Sequence, residues 1–293
     1  MIEILNIMPL SYMKKYYLEE NHNESCIIMA HLILQNEEYL NLARKIKSMG
    51  RYIILDNSTP YLGSSVSSSE LLECINLIGP DEIILPDVLS NSHETIKKTR
   101  EFLNLLPKKH NFKLMAVPQG ENLKEYKKCY EIFIKDSRID SIGLSFSVSN
   151  LFGSLLSQKY ATYRELLINL LIEKGIISFS KDHHLLGLSD SGNIELERLS
   201  RYSFIKRCDS NAGYKAAKEN MALRFGVSYS KPKNQINFCE KLNADTFKLM
   251  KQNILVLINS ANSEKKKPIF LKDPYVHTME NQLLKYLDIK IHH

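Results

Sequence analysis

The sequence predicts an α/β chain folded as a (β/α)8 TIM barrel with a helical segment appended at the C-terminus. Three observations lead there. Short apolar runs alternate with longer amphipathic stretches over roughly 180 residues, the mark of parallel strands joined by crossover helices. No GxGxxG follows the first strand, which counts against a doubly wound dinucleotide-binding sheet. Polar residues, aspartates above all, recur directly after the apolar runs, where a barrel carries its chemistry.

Taken in order, the strand candidates are CIIMAHLIL (26–34), RYIILD (51–56), DEIILPD (81–87), FKLMAV (112–117), DSIGLSFS (140–147), HHLLGLS (183–189) and YSFIKRC (202–208). Each is a short run rich in Ile, Leu, Val or Phe, bounded by turn formers. Amphipathic stretches between them predict helices over 36–50, 68–79, 92–106, 122–136, 161–175 and 193–202. Seven strand–helix units are legible; the eighth strand a barrel needs is not. From about residue 230 the pattern turns to helices and a basic loop. The barrel is therefore expected over 1–230, and a helical extension packed on it over 231–293.

Composition narrows the class. Of 293 residues, 44% are hydrophobic and 25% charged, which suits a soluble globular chain with a full core and excludes disordered or fibrous ones. The net charge of +6 permits a polyanionic partner without requiring one. Five cysteines, Cys26, Cys74, Cys129, Cys208 and Cys239, form no CxxC pair. They predict reduced thiols, a cytoplasmic setting and no zinc subdomain or other metal site. No apolar run approaches the ~20 residues of a membrane span, and the N-terminus lacks the plan of a signal peptide. No cofactor is expected.

The strand ends carry the candidate site. Asp56-Asn57-Ser58 closes the run at 51–56 and Asp87 the run at 81–87. Pro118-Gln119-Gly120 follows 112–117, and Gly143-Leu144-Ser145 lies in 140–147. Asp190 and Asp209 follow the last two. Asp209, in RCDSNAG, has two readings: an N-cap for the next helix, or a nucleophile at the barrel mouth. His183 and His184 are read as structural, because a zinc site needs more ligands at close spacing. Cys208 is read as a buried wall residue, and Arg207 as a cation able to keep Asp87 and Asp209 charged.

The ordered series ILDNS, ILPDV, VPQG, IGLS, HHLLGL and RCDS, over about residues 50–226, resembles the motif series of the tRNA-guanine transglycosylase superfamily. The resemblance implies a TIM barrel that exchanges guanine through a covalent glycosyl-enzyme. Asp209 matches the nucleophile and Asp56 the general acid/base. Asp87 matches the residue that reads the base edge, and Gln119, Gly143 and Leu144 match groups on its other edge. Leu186 and Gly187 match the element packed on the base face. Tyr61 stands one position beyond the family's stacking aromatic. The family's DSGGF is here Asp56-Asn57-Ser58-Thr59-Pro60-Tyr61, and the CxCxxC zinc signature of the bacterial tRNA enzymes is missing. The resemblance is therefore to the phage and genomic-island branch that inserts a 7-deazaguanine such as preQ0 into DNA, a setting that would be the host cytoplasm. It implies DNA as partner, with Lys215, Lys218, Arg224 and the lysines at 265–267 on the phosphates, and a homodimer. The alternatives are a tRNA-guanine transglycosylase, a non-catalytic nucleic-acid-binding subunit, and a metabolic barrel enzyme with a phosphorylated substrate.

Overall fold

The computed structural model describes residues 1–155, 163–188, 192–228 and 235–263. Eight parallel strands form a nearly closed barrel. They are β1 (Glu3–Asn6), β2 (Cys26–Met29), β3 (Ile53–Asp56), β4 (Glu82–Ile84), β5 (Lys113–Ala116), β6 (Ser141–Ser145), β7 (Asp182–Leu186) and β8 (Ile205–Ser210). Their order is β1-β8-β7-β6-β5-β4-β3-β2, so from β2 to β8 each strand pairs with its sequence neighbour, the first strand pairs with the last, and the seam between β1 and β2 is the one not hydrogen-bonded among the described residues. This is the expected (β/α)8 barrel.

The missing eighth strand is the first one. Glu3–Asn6 pairs with β8 from Glu3 opposite Arg207 to Asn6 opposite Ser210. Two boundaries also differ from expectation. The run 26–34 is a strand only to Met29 and turns into a helix over Ala30–Gln35, because an apolar run alone does not separate strand from helix. The last strand extends to Ser210, so Asp209 sits within it rather than after it.

The helices begin where the sequence supplies acceptors. Asn36, Asn91 and Asn122 each take a backbone N–H three residues on, and Ser67 with Glu70 forms a capping box. Each such helix then lays an apolar stripe on the barrel. Tyr126, Cys129, Tyr130 and Phe133 do so from Leu123–Lys135. The helix Ala244–Ala261 belongs to the same compact unit, Met1–Asn262, and packs on the helix Ala212–Lys218. The lysines at 265–267, the terminal histidines and Asp190 lie outside the described residues.

Alternate residues of each strand face the pore. Its lower layer is an ion network. Glu82 of β4 pairs with Arg207 of β8 across the barrel and accepts from Ser141 of β6 and from Tyr52 Oη at 3.0 Å. Burial works against the Glu82 charge, but the guanidinium overcomes it and holds the carboxyl below its usual range. Arg207, expected beside Asp87 and Asp209, is thus committed to Glu82.

Candidate active site

Above that network the pore opens into a cavity of about 200 Å³ at the C-terminal ends of the strands. Asp56, Asp87, Gln119, Leu186, Gly187, Asp209, Tyr61 and Lys215 all line it. Eight of the twelve residues singled out from the sequence therefore converge on one pocket.

Asp56 ends β3, and its Oδ1 accepts the Ser58 N–H at 2.5 Å. Ser58 stands at φ +69°, a left-handed conformation where the resembled motif has glycine. Its hydroxyl takes the His31 backbone N–H at 3.2 Å and meets His31 Nδ1 at 2.8 Å, contacts that hold the turn. Burial raises the Asp56 carboxyl from 3.8 to about 7, the Ser58 N–H opposes the rise, and the charges of Asp209 and Asp87 add to it.

Asp87 is enclosed. Its Oδ1 accepts from Asn57 Nδ2 at 2.9 Å and Thr59 Oγ1 at 2.8 Å, and its Oδ2 from Gln119 Nε2 at 2.7 Å. Burial raises this carboxyl, and the three donors pull it back. Asp87 and Gln119 are thus each other's partners, and Asn57 and Thr59 complete the cluster.

Asp209 is not an N-cap. The first turn of the helix Ala212–Lys218 is met by Ser210, whose Oγ accepts the Ala212 N–H at 3.0 Å. The Asp209 side chain points to the pore, where Oδ1 meets His184 Nε2 at 3.0 Å and Oδ2 accepts the Gly187 N–H at 3.1 Å. Gly187 adopts φ +67°, and a Cβ there would stand 3.0 Å from Phe146 Cδ1. Only glycine presents this N–H without strain.

A guanidinium supports the wall behind. Arg164, 1% exposed, pairs through Nε with Glu195 at 2.7 Å. It also donates to the carbonyls of Leu144 at 3.0 Å, Leu186 at 3.3 Å and Gly187 at 2.7 Å. Gly143 sits behind Leu186, whose Cδ1 would lie 2.7 Å from a Cβ at that position. Leu144 is fully buried. Gly143 and Leu144 therefore shape the wall from behind and do not line the cavity.

Tyr61 closes one side, in ring contact with His31 at 5.7 Å and Phe238 at 5.6 Å. Burial, then the charges of Asp56 and Asp209, keep its phenol protonated far above the usual range. Lys218 pairs with Glu240, Arg224 is exposed, and neither lines the cavity.

Sequence reasoning missed His184, Asn57, Thr59 and Arg164. The signal for His184 was present: it lies two residues before Leu186, hence on the same strand face. His183 is structural as expected, with Nε2 on Tyr130 Oη at 2.8 Å and Nδ1 on the Lys181 carbonyl at 2.9 Å. Among the described residues, no three His, Cys, Asp or Glu side chains gather as a metal site.

No family model and no curated protein matches the chain. Solved structures do. A citrate lyase β subunit complexed with oxaloacetate and magnesium from M. tuberculosis is 11% identical, with 71% of this chain and 91% of that one covered, at a TM-score of 0.44. The CitE protein from M. tuberculosis in complex with magnesium and acetate is 11% identical over 71% and 85% of the two chains, at 0.46. The N-(5'-phosphoribosyl)anthranilate isomerase from Pyrococcus furiosus is 14% identical over 88% and 98%, at 0.40. At these values the likeness is one of fold.

These findings correct the expectation of a guanine transglycosylase acting on DNA. The neighbours are citrate lyase β subunits and other barrel proteins, not pentosyltransferases. The physical reason is that polar residues at successive strand ends are what any barrel of this class uses to build a pocket. Their order therefore locates a site without fixing its reaction.

Proposed function

We propose that the chain is a barrel enzyme that performs general acid–base chemistry with a carboxylate pair, Asp56 and Asp209, on a small polar substrate. One observation carries this reading. Two carboxyl groups open on the same cavity in opposite surroundings. Burial lifts Asp56 to about 7, so that it holds a proton in much of the neutral range. Asp209 is instead met by a polar partner on each oxygen, the His184 ring at 3.0 Å on Oδ1 and the Gly187 N–H at 3.1 Å on Oδ2. Paired groups whose environments differ in this way are the usual mark of divided acid and base roles.

In this reading Asp56 donates a proton to the group that leaves, or to the oxygen that gains charge, while Asp209 takes a proton or attacks carbon. Such proton transfer accelerates a reaction by roughly 10²–10⁴-fold. Val117, Leu186 and Phe146 supply the apolar wall, and Lys215 also lines the cavity. The magnesium named with the citrate lyase β structure is not carried over, because no cluster of three ligating side chains is present among the described residues.

The test is a pH titration by carbon-13 NMR of protein labelled at the aspartate carboxyl carbons, with Asp56 assigned by its loss in Asp56→Asn. A midpoint near 7 is expected. A midpoint in the usual carboxylate range, about 4, would remove Asp56 as the acid.

A further inference from the structure

The register between β7 and β8 slips by one residue. His183 stands opposite Ile205, but His184 stands opposite Arg207, so Lys206 is the extra residue of a bulge. Bulges re-aim side chains and are frequent beside active sites. This one aligns His184 with the pore-facing residues of β8 and brings its ring to Asp209. The ring is 2% exposed. A carboxylate only accepts, so the 3.0 Å contact puts the ring proton on Nε2. Nδ1 is then a bare acceptor, buried and without a partner among the described residues.

The contrast with the preceding residue is informative. His183 uses both ring nitrogens, and burial pushes it down to about 4, so it is a satisfied neutral wall residue. His184 spends one nitrogen on Asp209 and leaves the other unpaired, which is unfavourable in a buried setting. An apolar side chain would fill the same space without that penalty. What it could not supply is the N–H on Asp209.

We propose that His184 is the positioning residue of the site: its Nε2–H holds the Asp209 carboxylate turned into the cavity. The inference rests on the acid–base reading of Asp56 and Asp209. It gives Asp209 two anchors of different kinds, a side-chain donor on Oδ1 and the Gly187 main-chain donor on Oδ2.

The test uses Asp56 as reporter, since the charge of Asp209 is one of the causes that raise it. The Asp56 midpoint is measured by carbon-13 NMR in the full chain and in its Asp209→Ala, His184→Leu and His184→Gln variants. Removing a like charge from a shared buried site lowers the remaining carboxyl by about half a pH unit or more. Asp209→Ala should show that drop. His184→Leu should show most of it, and His184→Gln, whose amide still donates, should restore the wild-type midpoint. An unchanged midpoint in His184→Leu beside a lowered one in Asp209→Ala would overturn the positioning role alone. An ordinary midpoint in the wild type would instead overturn the acid–base reading and this inference with it. Nitrogen-15 spectra of the wild type give a measurement that no folding defect can obscure: His184 is expected with its proton on Nε2, and a proton on Nδ1 instead would overturn the proposal.

Discussion

Replacing Asp56 with asparagine should stabilise the protein, and by more the higher the pH. The asparagine oxygen still accepts the Ser58 N–H, so the turn at residues 56–59 keeps its hydrogen bond, while the buried ionisable group is gone. The magnitude follows from the carboxyl, raised from 3.8 to about 7 in the folded chain. That is about three units at about 1.4 kcal/mol each, or about 4 kcal/mol. The sign is that of a carboxyl raised by folding: the native state keeps a proton that the unfolded chain releases. The stabilisation is complete below about pH 4, is lost as the pH climbs to about 7, and changes no further above that. Wild type therefore carries the whole penalty at about pH 8 and some 1–2 kcal/mol of it at about pH 5, whereas the asparagine variant carries none. The contribution of Asp87 is common to both proteins and cancels to first order. Guanidinium unfolding of both proteins at the two pH values should show their difference widening by about 2–3 kcal/mol. A difference that stays constant with pH would refute the claim that Asp56 is buried with its proton. Activity would be lost in the same variant, the expected exchange of function for stability.

Further substitutions test the wall and the Asp87 cluster. Arg164→Met takes the guanidinium from the buried Glu195 and from three carbonyls, and should destabilise by about 3–5 kcal/mol in the same unfolding assay. Gly143→Ala forces a Cβ to within 2.7 Å of Leu186 Cδ1 and should cost about 1–3 kcal/mol, read as a lowered melting temperature. Gln119→Leu removes the donor from Asp87 Oδ2, so the Asp87 carboxyl should titrate higher than in the wild type, which carbon-13 NMR reads directly.

The sequence shows the barrel because each apolar run is short and each intervening stretch is amphipathic, and these two periods cannot be confused over many repeats. The first strand escapes because Glu3–Asn6 is four residues with a charge at one end and an amide at the other; only its pairing with β8 makes it a strand. Asp56, Asp87 and Asp209 are legible because the pleat points every strand-end residue of one parity into the same mouth. His184 shares the parity of Leu186 and so is legible as pore-facing, but its partner is not, because the bulge that aligns it with Arg207 exists only in the pairing of two strands. Nor is the destination of Arg207: two residues from Asp209 in sequence, it faces the pore one layer lower and meets Glu82.

That separation of layers explains the chemistry of the cavity. A cation beside Asp56 would keep it ionised and useless as an acid near neutral pH. The two guanidiniums close to the site are held elsewhere: Arg207 by Glu82 in the layer beneath, Arg164 by Glu195 and three carbonyls behind the wall. What shapes Asp56 is burial first, one main-chain N–H in opposition, and two like charges in support. What reaches Asp87 is a set of neutral donors, an amide on each side and a hydroxyl. The barrel thus uses both of these guanidiniums to hold strands and loops in place, below and behind the cavity. Asp56 is left with a balance of surroundings that favours its proton, beside a second carboxyl group anchored by His184 and the Gly187 N–H. An acid and a base of the same residue type can then coexist in a cavity of about 200 Å³.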